Sequence, residues 1–340
     1  MPEMDMLHVP EPVSAGVILS YKCSSECKHC MYACSPLWRA DWLTEEGVKL
    51  VLSRLAQRIR PSPYGPDSVS VNHGLHFTGG EPFLNFSLLL DAVKLAHELK
   101  IPSIFVETNC FWCVNDEVTM NRFTALKEAG LNGILISVNP FILEHVPFRR
   151  TERAIKIGSE VFGENTMIYQ EIHYQRFKSL RVENTLTLDQ YLGKEKGALR
   201  RSELLPMGRA CYRLKHLFVR YPAKAFFDES CIPELTRDWH VHVDNYFNYI
   251  AGYCGGISLG DARELDALTQ GVDLQDKPIL RALATSLRSL YEFAVREFNY
   301  EEEEGYISKC HLCADIRRHI VRQTDEFKEL QPRELYFHLE

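Results

Sequence analysis

The sequence predicts an α/β fold, with a domain of alternating strands and helices over residues 1–210 followed by a smaller α+β domain over 211–340. Three observations carry this. From Pro12 to about Tyr174, short β-rich runs alternate with helical stretches. After Pro206 that rhythm gives way to hairpin-like and then longer helical sequence, which puts the boundary within 205–225. The 11 cysteines fall into separate groups near the start, in the middle and toward the end.

The elements follow in order. VSAGVILS (Val13–Ser20) reads as the first strand, and Thr44–Ile59 as a helix with Thr44 at its N-cap and Glu45 and Glu46 in its first turn. Ser68–Phe77 reads as a strand interrupted around Asn72–Gly74, followed by the helix SLLLDAVKLAHEL and the strand Ser103–Thr108. Glu117–Ala129 is helical and stops at Gly130. Gly133–Val138 is a strand, Glu152–Phe162 a helix and Met167–Tyr174 a strand. Such alternation implies parallel βαβ units, whose ligands gather beyond the carboxyl ends of the strands. The second domain reads as a polar, aromatic hairpin over Trp239–Gly256, then helices near Ala262–Thr269 and Lys277–Phe298.

Composition limits the function classes. With 39 basic against 46 acidic residues the formal charge is −7, which argues against a general nucleic-acid or anionic-membrane binder. No apolar run approaches the roughly 18–20 residues that cross a bilayer. The start, MPEMDMLHVPEP, lacks the basic and apolar regions of a secretory signal, so the expectation is a cytoplasmic protein. Cysteines clustered in that compartment read as metal ligands or redox groups rather than disulfides.

The segment YKCSSECKHCMYACSP follows directly on the first strand, and Cys23, Cys27 and Cys30 have the spacing C-x3-C-x2-C. Thiolates hold iron–sulfur clusters. Three of them on one loop can hold three irons of a cubane and leave the fourth open to a small chelating ligand, as an open position distinguishes a catalytic metal site. The competing readings are a zinc site, closed if Cys34 joins the other three, or unrelated thiols. HFTGGEPFLN (His76–Asn85) ends the second strand, where paired glycines permit close backbone approach to a ligand.

C-x3-C-x2-C after a first strand, with GGEP one βα unit later, resembles the signature of the radical S-adenosylmethionine (radical SAM) superfamily. The fold this implies is a partial (β/α)6 TIM-like barrel with a C-terminal auxiliary-cluster domain. In that family SAM chelates the fourth iron of a 4Fe-4S cluster, the GGE-P element contacts the SAM amino group, and the residue before the third cysteine, here His29, packs near the adenine. The resemblance therefore implies Gly79, Gly80, Glu81 and His29 as SAM contacts. Polar residues at later strand ends extend the set: Asn109 in VETNCFW, Ser137 and Asn139 in SVNPF, and Tyr169 in YQEIHY. Cys110 and Cys113 form a C-x2-C read as structural thiols, and Trp112 reads as core.

LLPMGRAC (Leu204–Cys211) resembles the P-x-GRA element that follows the barrel in members with C-terminal auxiliary clusters, and the remaining sequence resembles a SPASM or twitch domain. Asp244–Asn248 stands where that family has a D-x-x-G-N turn, with Phe247 in place of the glycine. Cys231, Cys254, Cys310 and Cys313 suffice for a second 4Fe-4S cluster, and zinc is the alternative because two loop cysteines plus a C-x2-C also suit tetrahedral Zn(II). Cys211 reads as a bystander, and His240, His242 and His311 as structural.

The resemblance implies an enzyme that takes an electron from a flavodoxin- or ferredoxin-like donor, cleaves SAM reductively to a 5′-deoxyadenosyl radical and abstracts hydrogen from a substrate. Peptide or protein modification is the class favoured by the auxiliary domain. A small biosynthetic intermediate, activation of a glycyl-radical enzyme, and a non-catalytic metal scaffold or electron-transfer protein are the alternatives.

Overall fold

The computed structural model describes residues 5–39, 41–195, 197–201 and 203–340. Its strands are β1 (Met6–Leu7), β2 (Ala15–Ile18), β3 (Leu75–Thr78), β4 (Ile104–Thr108), β5 (Gly133–Ser137), β6 (Thr166–Tyr169), β7 (Val241–Val243), β8 (Tyr249–Ala251) and β9 (Val272–Asp273). The chain divides into two compact units: Val13–Cys27 with Cys34–Leu204, and the segment up to Pro12 with Lys28–Ala33 and Leu205–Glu340.

In the first unit five strands pair in parallel in the order β6-β5-β4-β3-β2. β2 to β5 are buried along nearly their whole length, as expected of strands covered on both faces. One face carries Phe105 and Leu135, packed with Val69, Met167 and Tyr169. Helices return the chain between strands, and their starts are set by side chains. Thr44 accepts from Gly47 N at the head of Glu45–Leu55, and Asn115 accepts from Val118 N at the head of Asp116–Glu128. Helix Asp116–Glu128 packs on Phe148–Phe162, where Phe123 meets Phe162 edge-on at 5.6 Å.

Three sequence expectations shift. The strand expected over Ser68–Phe77 begins only at Leu75, because Asn72 and Gly74 have φ of 67° and 69°. The strand expected over Met167–Tyr174 ends at Tyr169: Gln170, at φ 63°, turns the chain into the helix Glu171–Ser179, which buries His173 and Phe177 one turn apart. The helical stretch Lys277–Phe298 is two helices, Pro278–Thr285 and Leu287–Phe298, parted by extended Ser286, which caps the second.

In the second unit β1 pairs antiparallel with β9, and β7 with β8. The β7–β8 turn is built on Asp244, whose Oδ1 accepts from Tyr246 N and Asn248 N, each at 2.9 Å. Phe247 takes the left-handed conformation at φ 65° that a glycine would hold without strain. A helix the sequence reading did not mark, Lys309–Gln323, starts at the Ser308 cap and carries the last cysteine pair in its first turns. Among the described residues no helix is long and apolar enough to cross a membrane.

Candidate cofactor and metal centres

The cysteine loop leaves the end of β2, and its stem is anchored to the GGEP turn by backbone. Gly80 N donates to Ser20 O at 2.8 Å, and Glu81 N to Lys22 O at 3.0 Å. A Cβ on Gly80 would collide with the Lys22 carbonyl and lie 2.8 Å from Cys23 N. Only glycine allows the two chain segments to approach so closely. On its other side the stem is held by Cys23 N donating to Ser35 O at 3.2 Å.

The Glu81 side chain ties β3 to β4. It is 1% exposed, and its carboxylate accepts from Thr108 Oγ1 at 2.9 Å, Asn109 N at 2.8 Å and Phe83 N at 3.3 Å. Burial nevertheless pushes its pKa up to about 7 against these donors. Asn109, so positioned, points its amide at the cysteine loop. Nδ2 donates to Ser24 Oγ at 3.0 Å and lies 3.7 Å from Cys23 Sγ. The structure thus brings Cys23, Gly79–Glu81 and Asn109 together. Cys23 and Cys27 are buried, and Cys30 is half-buried.

The other expected contacts have partners of their own. Asn139 caps the helical turn Pro140–Leu143, its Oδ1 accepting from Phe141 N and Ile142 N. Tyr169 OH donates to Glu203 Oε2 at 2.9 Å, and Ser137 lies beside Tyr169 in the β5–β6 register. Further polar residues join the strand-end row, among them Glu107, which the sequence already marks as a polar group at the end of its strand. Glu107 accepts from Thr78 Oγ1 at 2.6 Å and lies 3.6 Å from His76 Nε2. Burial holds His76 down to about 3, hence neutral. Trp112 is core, stacked on Phe83 at 4.0 Å with Nε1 donating to Thr108 Oγ1. Cys110 and Cys113 are fully buried beside it, and burial, then Cys113, pushes the Cys110 thiol far up, which makes it inert.

In the second unit the GRA element grips the segment bearing Cys30. Arg209 N donates to Cys30 O at 3.0 Å and its Nη2 to Ala33 O at 2.6 Å. Gly208 has φ 57°, and a Cβ there would sit 2.7 Å from Cys30 O. His29 in this segment is held down to about 4, first by burial and then by Arg209.

Cys231, Cys254, Cys310 and Cys313 line one cavity. They come from three local devices. Cys231 heads the short helix Ile232–Leu235, Cys254 follows β8, and Cys310 and Cys313 lie in the first turns of Lys309–Gln323. Burial and then the neighbouring thiols push Cys254 up to about 11 and Cys310 up to about 12. Four thiols lining one cavity, Cys231 and Cys313 buried and Cys254 and Cys310 half-buried, suit a soft metal that takes them as thiolates. Cys211 does not line the cavity; its Sγ donates to Pro206 O at 3.3 Å. His311 accepts from Ile307 N, and His242 is bonded to Tyr32 OH at 3.0 Å, so both have structural partners.

No protein-family model and no curated protein matches the chain. Several solved structures are similar to it. The structure of BtrN in complex with AdoMet and 2-DOIA is 13% identical, with a TM-score of 0.44, and the match covers 84% of this chain and 90% of that one. Native anSMEcpe with bound AdoMet is 12% identical at a TM-score of 0.45, covering 91% and 97%. Streptococcus suis SuiB bound to S-adenosylmethionine is 12% identical at a TM-score of 0.36, covering 94% and 77%.

Proposed function

We propose that this chain is a radical SAM enzyme carrying a SAM-binding 4Fe-4S cluster on Cys23, Cys27 and Cys30 and a second metal centre on Cys231, Cys254, Cys310 and Cys313. The observation that carries the reading is the backbone contact of Gly80 with Lys22 and Cys23, with the Asn109 amide directed at Cys23. A GGEP turn that served only as a strand end would not need a glycine pressed against the first cysteine.

A cluster held by Cys23, Cys27 and Cys30 would supply the electron for reductive cleavage of SAM and so the means to abstract hydrogen from a substrate. The residues of the chain do the positioning. Gly79 and Gly80 let the end of β3 press against the backbone of Ser20, Lys22 and Cys23, while Glu81 fixes the ends of β3 and β4 relative to each other. Asn109 orients the cysteine loop and donates toward Cys23 Sγ, a bond that would tune the potential of a cluster held there. Ser137, Tyr169, Thr78 and Glu107 present polar groups at successive strand ends, where parallel sheets bind ligands. The neutral His29 suits packing near the adenine.

The second centre is a 4Fe-4S cluster in this reading, with zinc as its alternative. The substrate class is a peptide, as the resemblance to auxiliary-cluster enzymes implies, and the protein works in the cytoplasm with a low-potential electron donor.

The test is 5′-deoxyadenosine production by anaerobically reconstituted protein given SAM and dithionite. Wild type should form it and Cys27→Ala should not. Retained cleavage in the variant sinks the assignment. Iron, sulfide and zinc analysis then separates the two forms of the second centre: about eight irons indicate two cubanes, and about four irons with one zinc a structural site.

A further inference from the structure

Arg317 is a buried cation without an anionic partner. It lies one turn beyond Cys313 on the helix Lys309–Gln323, lines the four-cysteine cavity and is 6% exposed. Its Nε donates to Cys313 O at 3.3 Å, and its Nη1 to Gly255 O at 3.1 Å and to Tyr336 OH at 2.6 Å. All three acceptors are neutral. Tyr336 in turn donates to Gly256 O at 2.5 Å, and burial raises its pKa to about 12, so it carries no charge at neutral pH. Among the described residues no carboxylate lies within ion-pair distance of Arg317. The other charged groups lining the cavity are already matched, since Lys309 pairs with Glu234 at 2.8 Å and Glu229 at 3.6 Å.

A guanidinium removed from water and left uncompensated is strongly unfavourable, and the usual resolution, neutralising the group, is closed to arginine. The compensating charge must come from the cavity. Cys313 and Cys254 line the same cavity as Arg317. As neutral thiols they offer nothing; as thiolates on a metal they supply a net anion, since four thiolates outweigh a divalent metal or a 4Fe-4S core of charge +2. We infer that Arg317 is the built-in counter-cation of an anionic four-thiolate metal centre, placed to stabilise it and to set its potential. This rests on the second centre proposed above and adds a residue outside its ligand set.

The test compares anaerobically prepared wild type with Arg317→Met, which keeps much of the bulk, and Arg317→Lys, which keeps the charge. Two readouts are followed: metal retained by the second centre under a fixed chelator challenge, and, where that metal is iron, its midpoint potential by EPR-monitored titration. Iron at the first centre serves as the folding control. The expectation is that Arg317→Met loses second-centre metal at least tenfold faster and shifts an iron centre to more negative potential, with Arg317→Lys restoring most of both. A second centre in Arg317→Met with wild-type retention and, if iron, wild-type potential overturns the inference. Equal loss in Arg317→Met and Arg317→Lys overturns it too, since the hydrogen bonds and not the charge would then matter. Wild type holding no metal beyond the first centre instead defeats the four-cysteine reading itself.

Discussion

The Asn109 side-chain amide lies 3.7 Å from Cys23 Sγ and 3.0 Å from Ser24 Oγ, while Asn109 N donates to Glu81 at 2.8 Å. One residue thus links the end of β4, the buried carboxylate of the GGEP turn and the first cysteine. Donors to ligand sulfurs raise a cluster's potential, and losing such an outer partner costs about 10–100-fold in affinity or activity. Asn109→Ala should slow SAM cleavage by about tenfold and lower the first cluster's midpoint potential, leaving the second centre's metal unchanged. An unmoved potential with slowed cleavage would return Asn109 to the role expected from sequence, a direct SAM contact.

Gly80→Ala tests the backbone contact. The added methyl has nowhere to go, because its obstacles are the Lys22 carbonyl and Cys23 N rather than a flexible side chain. The strand end or the cysteine loop must shift, at a cost of about 1–3 kcal/mol. The expected result is a folded protein, with normal far-UV circular dichroism, that binds iron poorly at the first centre. Normal iron content would show that the approach of the two segments does not shape that site.

Much of this arrangement is legible in sequence, and the reasons differ by element. The βα rhythm is readable because apolar runs and helix caps such as Thr44 and Asn115 act locally. Met167–Tyr174 misleads because the left-handed Gln170 is set by its surroundings; the i, i+4 spacing of His173 and Phe177 was the available signal for a helix. The turn that Asp244 organises is legible from Asp244 and Asn248, but not how Phe247 replaces its glycine: as a strained aromatic with Arg263 stacked 4.6 Å from its ring. Arg317 leaves no trace in spacing or composition: its significance is the lack of a carboxylate around a buried charge, which only packing reveals. Glu81 is visible as part of a motif, but its three donors come from residues distant in sequence or placed by a turn.

Glu81 also makes a pH prediction. Its folded pKa is raised to about 7, chiefly by burial, whereas an unfolded glutamate titrates near 4.5. The folded state therefore holds the proton more tightly, and this residue's contribution to stability is fully present below about 4.5 and lost as pH rises through 7. His76 and His173, lowered to about 3 and 4 by burial, run the other way: their contribution is present above about 6.5 and lost as pH falls. The wild-type profile mixes the two, so the comparison is with Glu81→Gln. The variant should gain on wild type by up to about 3 kcal/mol between pH 4.5 and 7, on top of a constant penalty for its altered hydrogen bonds. Urea unfolding across that range measures the difference, and a flat difference means Glu81 stays ionised throughout.

Cys310→Ala separates the two centres. Cys310 lies on the helix Lys309–Gln323 and lines the cavity with Cys231, Cys254 and Cys313, whereas the first centre is assigned to Cys23, Cys27 and Cys30. Removing one of four ligands should empty the second centre and remove the folding energy its metal supplies. The first centre should keep its iron and still cleave SAM, if more slowly. Iron and zinc analysis together with 5′-deoxyadenosine yield reads both effects in one preparation. Loss of all metal in this variant would mean that the two centres form as one cooperative unit, and that the division of the cysteines into two independent sets is wrong.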